Sequence, residues 1–346
     1  MQKKDISFFE RFLTLWVLLC MAAGILIGKL IPQIPSFLSK FEYANVSIPI
    51  AVLIWLMIYP MMLKVNFASV KNVGKNPKGL FVTWITNWLI KPFTMYGIAF
   101  LFFMVIFKQL IPEHLAKEYL AGAVLLGAAP CTAMVFVWSH LTKGDAAYTV
   151  VQVATNDLII LIAFTPIVAF LLGVTGIAIP WETLLLSVVL FVVIPLGAGI
   201  ISRLIITKKK GEHYFTESFI PKFKHVTIAG LLLTLVIIFS FQGHVILENP
   251  LHIVLIAVPL IIQTFLIFFV AYIASKMLKL PHCVAAPAGM IGASNFFELS
   301  VAVAIALFGP ASAVALATIV GVLVEVPVML TLVNIANKTK GYFDGK

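Results

Sequence analysis

Long apolar runs separated by short polar stretches make up most of the chain. Ten runs stand out, at roughly 9–31, 46–66, 80–107, 119–141, 146–172, 182–206, 225–243, 250–275, 283–307 and 311–335. A helix needs about 20 apolar residues to cross about 30 Å of hydrocarbon, and each run is of that order. The predicted fold class is an all-α polytopic membrane protein of ten transmembrane helices. The first run follows Lys3 and Lys4, as in a signal peptide. Its stretch from Phe12 to Leu30 is longer than a usual h-region, so it reads as a span despite the weak Ala22-Ala23-Gly24 cleavage pattern.

Composition sharpens this picture. Apolar residues make up 62% of the chain and charged residues 11%, with mean hydropathy +1.09. A soluble domain carries roughly 45–50% and about 25%. Soluble globular, disordered and coiled-coil classes are excluded, and little sequence remains for a folded soluble domain. The formal net charge is +10, but its Lys and Arg sit in short loops, which indicates orientation in the membrane rather than nucleic acid. With the N-terminus placed in the cytoplasm, the inner loops and termini hold 19 basic residues. These are Lys3, Lys4, Arg11, Lys64, Lys71, Lys75, Lys78, Lys143, Arg203, Lys208, Lys209, Lys210, Lys222, Lys224, Lys276, Lys279, Lys338, Lys340 and Lys346. The outer side holds four: Lys29, Lys40, Lys108 and Lys117. Ten spans with both termini cytoplasmic in the cell (inner) membrane account for that split. The three cysteines, Cys20, Cys131 and Cys283, are far apart in apolar stretches, so neither a disulfide framework nor a zinc site is indicated.

The two halves echo each other. At an offset of 165, Gly127/Gly292, Ala128/Ala293, Gly144/Gly309 and Ala146/Ala311 coincide. Gly28-Lys29-Leu30-Ile31 also resembles Ser202-Arg203-Leu204-Ile205, with Lys29 outside and Arg203 inside. Two five-helix repeats, 1–172 and 173–346, would therefore have opposite orientations, as in secondary transporters built from inverted repeats. A spatial panel domain and core domain would draw on both.

Backbone groups in hydrocarbon must be satisfied, so a broken helix survives only where it is buried or lines a cavity. The best break candidates occupy corresponding positions in the fourth and ninth spans. They are Gly127-Ala-Ala-Pro130, and Pro287 to Asn295 with Gly292 within it. Pro130 suits the first turn of a new half-helix. Asn295 suits an N-cap, with Glu298 three residues on as in a capping box.

Cys131 then faces the midplane near a helix N-terminus, where a thiol can be reactive and a soft ligand for a soft acceptor. The alternative is that it packs as a small apolar residue; Cys20 and Cys283 read as packing. Glu298 is a carboxylate at membrane depth, a functional candidate for proton exchange that also suits a capping role. Glu325, two residues before Pro327, and Asp157, beside Asn156, are further candidates for proton coupling or for holding the broken helices. Lys91 shares a face with Asn87 and either pairs with a buried carboxylate or snorkels. Trp138, Ser139 and His140 read as an interfacial belt, and Gly24 with Gly28 as a close helix contact. No Walker, GxSxG, HExxH or GxGxxG motif is present, so neither an enzyme nor a cofactor site is expected.

The stretch Ala129-Pro130-Cys131-Thr132-Ala133-Met134-Val135-Phe136-Val137-Trp138-Ser139, followed by Lys143-Gly144-Asp145, resembles the span-four signature of the arsenical-resistance efflux permeases. These belong to the bile acid/arsenite/riboflavin transporter superfamily. Gly292-Ala293-Ser294-Asn295-Phe296-Phe297-Glu298-Leu299-Ser300 resembles their span-nine signature. The resemblance covers the chain from the first span to the tenth. It implies broken, crossing fourth and ninth helices and export of arsenite, often with antimonite. Its essential cysteine maps onto Cys131 and its essential glutamate onto Glu298. The sodium-coupled relatives carry Glu-x-x-x-Gln in span nine. Here Ala302 stands four after Glu298, which favours proton exchange over sodium coupling.

The expected partners are arsenite or antimonite, protons and the lipid bilayer, with room for a homo-oligomer. Cys131 would bind As(III) as substrate, and Asn295, Ser294 and Thr132 would hydrogen-bond its hydroxyls. A sodium-coupled, bile-acid-like organic-anion symporter and a passive metalloid channel are the alternatives.

Overall fold

The computed structural model describes residues 12–43, 46–63, 77–132, 134–177, 181–248 and 250–343. Apart from a two-residue antiparallel pairing of Glu42–Tyr43 with Val46–Ser47, the described residues form helices and short connections. The protein is an all-α polytopic membrane protein, and all ten predicted runs coincide with helix. These are α1 Leu13–Leu30, α2 Ile48–Leu63, α3 Pro77–Ile106, α4a Glu113–Ala128 with α4b Val135–Leu141, and α5 Ala146–Val174. They continue as α6 (residues 181–214), α7 Lys224–Glu248, α8 Pro250–Met277, α9a His282–Ala293 with α9b Phe297–Phe308, and α10 Ala313–Lys338. Residues 9–11, 64–66 and 133 of the predicted runs lie outside the described residues. So do Lys3, Lys4, Arg11, Lys64, Lys71, Lys75 and Lys346 of the charge pattern.

Local sequence chemistry explains the helix boundaries. Asp145 caps α5, its carboxylate accepting from the Ala147 and Tyr148 amides at 2.8 and 3.1 Å. Ser312 does the same for α10 through the Ala315 amide. Pro92 and Pro195 follow π turns at Thr86–Ile90 and Val189–Val193, because a proline has no N–H to continue the ladder. Gly309, at φ +84, ends α9b in a backbone region that a side chain would strain.

Two groups of helices pack side by side. In one, α7 lies along α1 and α2, and α2 also meets α6. In the other, α8 packs on α9a and α10, and α4a on α3 and α10. The contact between α1 and α7 rests on the two glycines read as a packing motif. A Cβ on Gly24 would lie 2.5 Å from the Val236 carbonyl, and one on Gly28 would strike the Ser240 carbonyl.

Hydrogen bonds gather alternate helix ends on one side of the molecule. The Asp145 amide donates to the Cys283 carbonyl at 2.7 Å, Asn337 to the Leu141 carbonyl at 3.0 Å, and Tyr148 to the Gly79 carbonyl at 2.9 Å. On the opposite side Tyr119 pairs with His252 at 2.9 Å, and Gln242 donates to the Pro310 and Ser312 carbonyls.

Candidate functional site

The fourth and ninth helices are both broken, at matching places. α4a ends at Ala128 and α9a at Ala293, which is the offset of 165 found in the sequence. Ala129 is extended because the Pro130 ring disfavours a helical residue before it. Ser294 is extended too, at φ −77 and ψ 146. The two extended links pair with each other. Pro130 and Asn295 form an isolated antiparallel bridge, and the Phe296 amide donates to the Ala129 carbonyl at 2.8 Å. Each break thereby satisfies backbone groups that hydrocarbon would leave orphaned. The Ser300 hydroxyl adds a 3.0 Å bond to the Leu125 carbonyl in the last turn of α4a.

Several expectations are corrected. Pro130 does not open a half-helix; it lies in the extended link, and α4b begins at Val135. Asn295 is not an N-cap. Phe296 occupies that position without a side-chain bond, and the buried Asn295 Oδ1 has no partner among the described residues. Gly127 and Gly292 remain helical and serve close packing instead. A Cβ on Gly127 would meet Met95 at 2.5 Å, and one on Gly292 would meet Ile267 at 3.2 Å. Trp138 and Ser139 are buried rather than interfacial, the Ser139 hydroxyl bonding Thr149 at 2.7 Å. His140 is exposed, as expected of a surface group. Cys20 is buried, but Cys283 is exposed rather than packed.

Around the paired links, α3, α9 and α10 bring charged groups together. Lys91 does not snorkel. It is 1% exposed, and its ammonium donates to the Ser294 carbonyl at 2.6 Å, at the negative end of α9a. Gln263 on α8 braces this turn by donating to the Lys91 carbonyl at 3.0 Å and to the Thr94 hydroxyl at 2.9 Å. Glu325 on α10 accepts from the Ser294 hydroxyl and, at 3.4 Å, from the Asn295 amide. Lys91 lies within electrostatic range of both Glu325 and Cys131.

Cys131, 2% exposed, packs among Leu80, Val135, Tyr148 and Ile291. Its neighbour across the paired links is the stretch Ser294–Asn295, since Pro130 bridges Asn295. Thr132 Oγ1, beside Cys131, is buried with no partner among the described residues. Glu298 stands in the first turn of α9b. It borders a narrow crevice against the other helix group, lined by Ile54, Met57, Thr234 and Leu235. Cys131 thus sits in an apolar cluster, while Glu298 borders the seam between the helix groups. Asp157 does not join them. It is buried on α5 with Oδ2 unpartnered and no charged group acting on it.

Chemically, the arrangement offers one soft sulfur, several hydroxyl and amide oxygens, and a carboxylate facing a seam between helix groups. Among the described residues no cluster of three or more His, Cys, Asp or Glu forms a metal cage. Sequence reading missed Gln263 and Ser300, whose signal was only a polar residue within an apolar run.

A family model described as the sodium bile acid symporter family matches residues 51–249. The chain is 67% identical to the arsenical-resistance protein Acr3 of Alkaliphilus metalliredigens, over 98% of this chain and 95% of that protein. It is 35% identical to the Acr3 of Corynebacterium glutamicum, over 95% of this chain and 88% of that one. An uncharacterized transporter of Synechocystis is 46% identical over 98% of this chain and 91% of its own length. These matched proteins are transporters or resistance proteins, and the chain is not an enzyme by that kinship. Its helices, its paired breaks and these similarities together mean that the chain belongs to the sodium bile acid symporter family, on the branch of the Acr3 arsenical-resistance proteins.

Proposed function

We propose that this protein is a secondary transporter that exports arsenite, and antimonite by the same chemistry, from the cytoplasm in exchange for protons. The observation that carries the reading is the buried Cys131 thiol at the paired breaks, with the unpartnered oxygens of Thr132 and Asn295 nearby. Similarity to two arsenical-resistance proteins supports the substrate.

Arsenite near neutral pH is the uncharged triol As(OH)3, which no electrostatic field holds well. Sulfur supplies the missing affinity. The Cys131 thiol displaces one hydroxyl: an S–As bond forms, an As–O bond breaks, and the thiol proton leaves with that hydroxyl as water. Ser294, Thr132 and Asn295 hydrogen-bond the remaining hydroxyls. One thiol binds reversibly, whereas a three-thiol cage would trap arsenic. Glu298 takes a proton from outside and gives it up inward, proton and substrate excluding one another. Glu325 is the second coupling carboxylate, held by the Ser294 hydroxyl and the Asn295 amide. Asp157, buried on α5, is the third candidate for proton coupling.

In this reading the two five-helix repeats, 1–172 and 173–346, are inverted, with both termini cytoplasmic in the cell (inner) membrane. The α1, α2, α6 and α7 group is the panel, and the remaining helices form the core that rocks against it. The matching break points and the caps at Asp145 and Ser312 support the repeat.

The test is arsenite flux in proteoliposomes with pH and sodium gradients imposed independently. Flux that follows the pH gradient and ignores sodium supports the proposal. Sodium-dependent uptake supports an organic-anion symporter, and flux indifferent to both gradients supports a channel.

A further inference from the structure

Away from the breaks, α3 and α5 share a buried polar seam. Thr83 and Tyr148 join their hydroxyls at 2.8 Å, Trp84 Nε1 donates to Thr155 at 3.0 Å, and Trp88 Nε1 donates to Asn156 Oδ1 at 3.2 Å. Asn87 and Gln152 stand further along the two helices. Each lies four residues beyond a member of the Thr83–Tyr148 pair. Both are 0% exposed, yet among the described residues neither amide has a partner for its nitrogen or its oxygen. Asn156 Nδ2 and Asp157 Oδ2, on the next turn of α5, are likewise buried and unpartnered. Lys91, four residues beyond Asn87, ends the seam at the Ser294 carbonyl. Tyr148 closes the other end by donating to the Gly79 carbonyl.

Two buried primary amides that bond neither each other nor any other described residue call for a small polar guest. Water fits, since it needs two to four polar partners and an amide offers donor and acceptor alike. On α5, Gln152 and Asn156 are four residues apart, a rise of about 6 Å, close to two hydrogen bonds of about 2.8 Å through one water. Such a file can reorient, because every amide along it accepts either polarity of the chain. Lys91 and Asp157 are the charged groups that border it; Tyr148 is the remaining titratable one.

We propose that Asn87, Gln152 and Asn156 hold a file of internal water that conducts protons between the Lys91–Glu325 group at the breaks and the end of the seam closed by Tyr148. The inference rests on the proton-exchange reading above and gives the released proton its exit. The amides act as positioning residues for water and touch neither the arsenic nor Glu298.

The experiment compares Asn87→Leu and Gln152→Leu with Asn87→Ser and Gln152→Ser in proteoliposomes containing a pH-sensitive dye. Leucine fills the space and offers no hydrogen bond; serine leaves room and keeps one. The leucine variants should lose about tenfold or more of arsenite-linked proton flux, while arsenite exchange at equal pH and equal concentration stays within about twofold. The serine variants should recover proton flux. Internal water should also label Trp88 and Tyr148 on X-ray hydroxyl-radical footprinting in the wild type and not in the leucine variants. Unchanged proton flux in the leucine variants, or equal loss of exchange and proton flux, overturns the proposal. So does absence of that labelling in the wild type. A wild type that moves arsenite without any proton flux sinks the exchange reading itself, and this inference with it.

Discussion

The Lys91 ammonium donates to the Ser294 carbonyl at 2.6 Å, and the Ser294 hydroxyl donates to Glu325. One serine in a broken helix thus stands between a buried cation and a buried carboxylate on two other helices. Removing one of two opposite buried charges that share Ser294 leaves the other less compensated. Lys91→Met should therefore lower thermal stability in detergent strongly, and Lys91→Met with Glu325→Gln should recover much of the loss. A double variant no more stable than Lys91→Met would show that the two charges are not coupled.

Cys131→Ser roughly keeps the size of the side chain but removes the sulfur. Arsenite export from everted vesicles should fall about 100-fold, equivalent to about 2.7 kcal/mol of lost stabilisation. The fold should be unaffected, read as an unchanged melting temperature. Export at the wild-type rate would leave the thiol without a role.

Glu298→Gln retains the shape of the carboxylate at the crevice between the helix groups and cannot cycle a proton. Transport driven by an imposed pH gradient should disappear, whereas exchange of arsenite across the membrane should persist. Gradient-driven transport in this variant would move the coupling role elsewhere, with Glu325 the next carboxylate to examine.

The glycines between α1 and α7 give a prediction remote from the chemistry. Gly28→Leu would drive a side chain into the Ser240 carbonyl. Overpacking of this kind costs about 1–3 kcal/mol, so the melting temperature should drop. Gly97→Leu, where an added Cβ meets nothing within 4 Å, should leave it nearly unchanged. An equal drop in both would argue against a tight α1–α7 contact.

Run length and proline placement made the helices legible, because hydrocarbon permits few alternatives to helix. The break positions were legible for the same reason: Pro130 and the Ser294-Asn295 pair disfavour helix locally. What occupies each break was less so. Asn295 has the chemistry of a cap, yet pairing with Pro130 draws its backbone away from that geometry. Lys91 could reach water or a partner by sequence alone; a carbonyl exposed by a break on a distant helix decided the matter. Asp157 and Glu325 look alike as lone acids in apolar runs, and only the packing of α10 against the breaks distinguishes them. The bracing by Gln263 depends on the turn that Pro92 loosens in α3, a relation between helices that no local pattern encodes.

Of the three sulfhydryls, Cys20 and Cys131 are buried while Cys283 is open at the start of α9a, where its carbonyl holds the Asp145 amide. A maleimide dye should react there first and leave Cys131 untouched. Fluorescence or distance spectroscopy from that single handle can follow the ninth helix through a transport cycle in otherwise native protein.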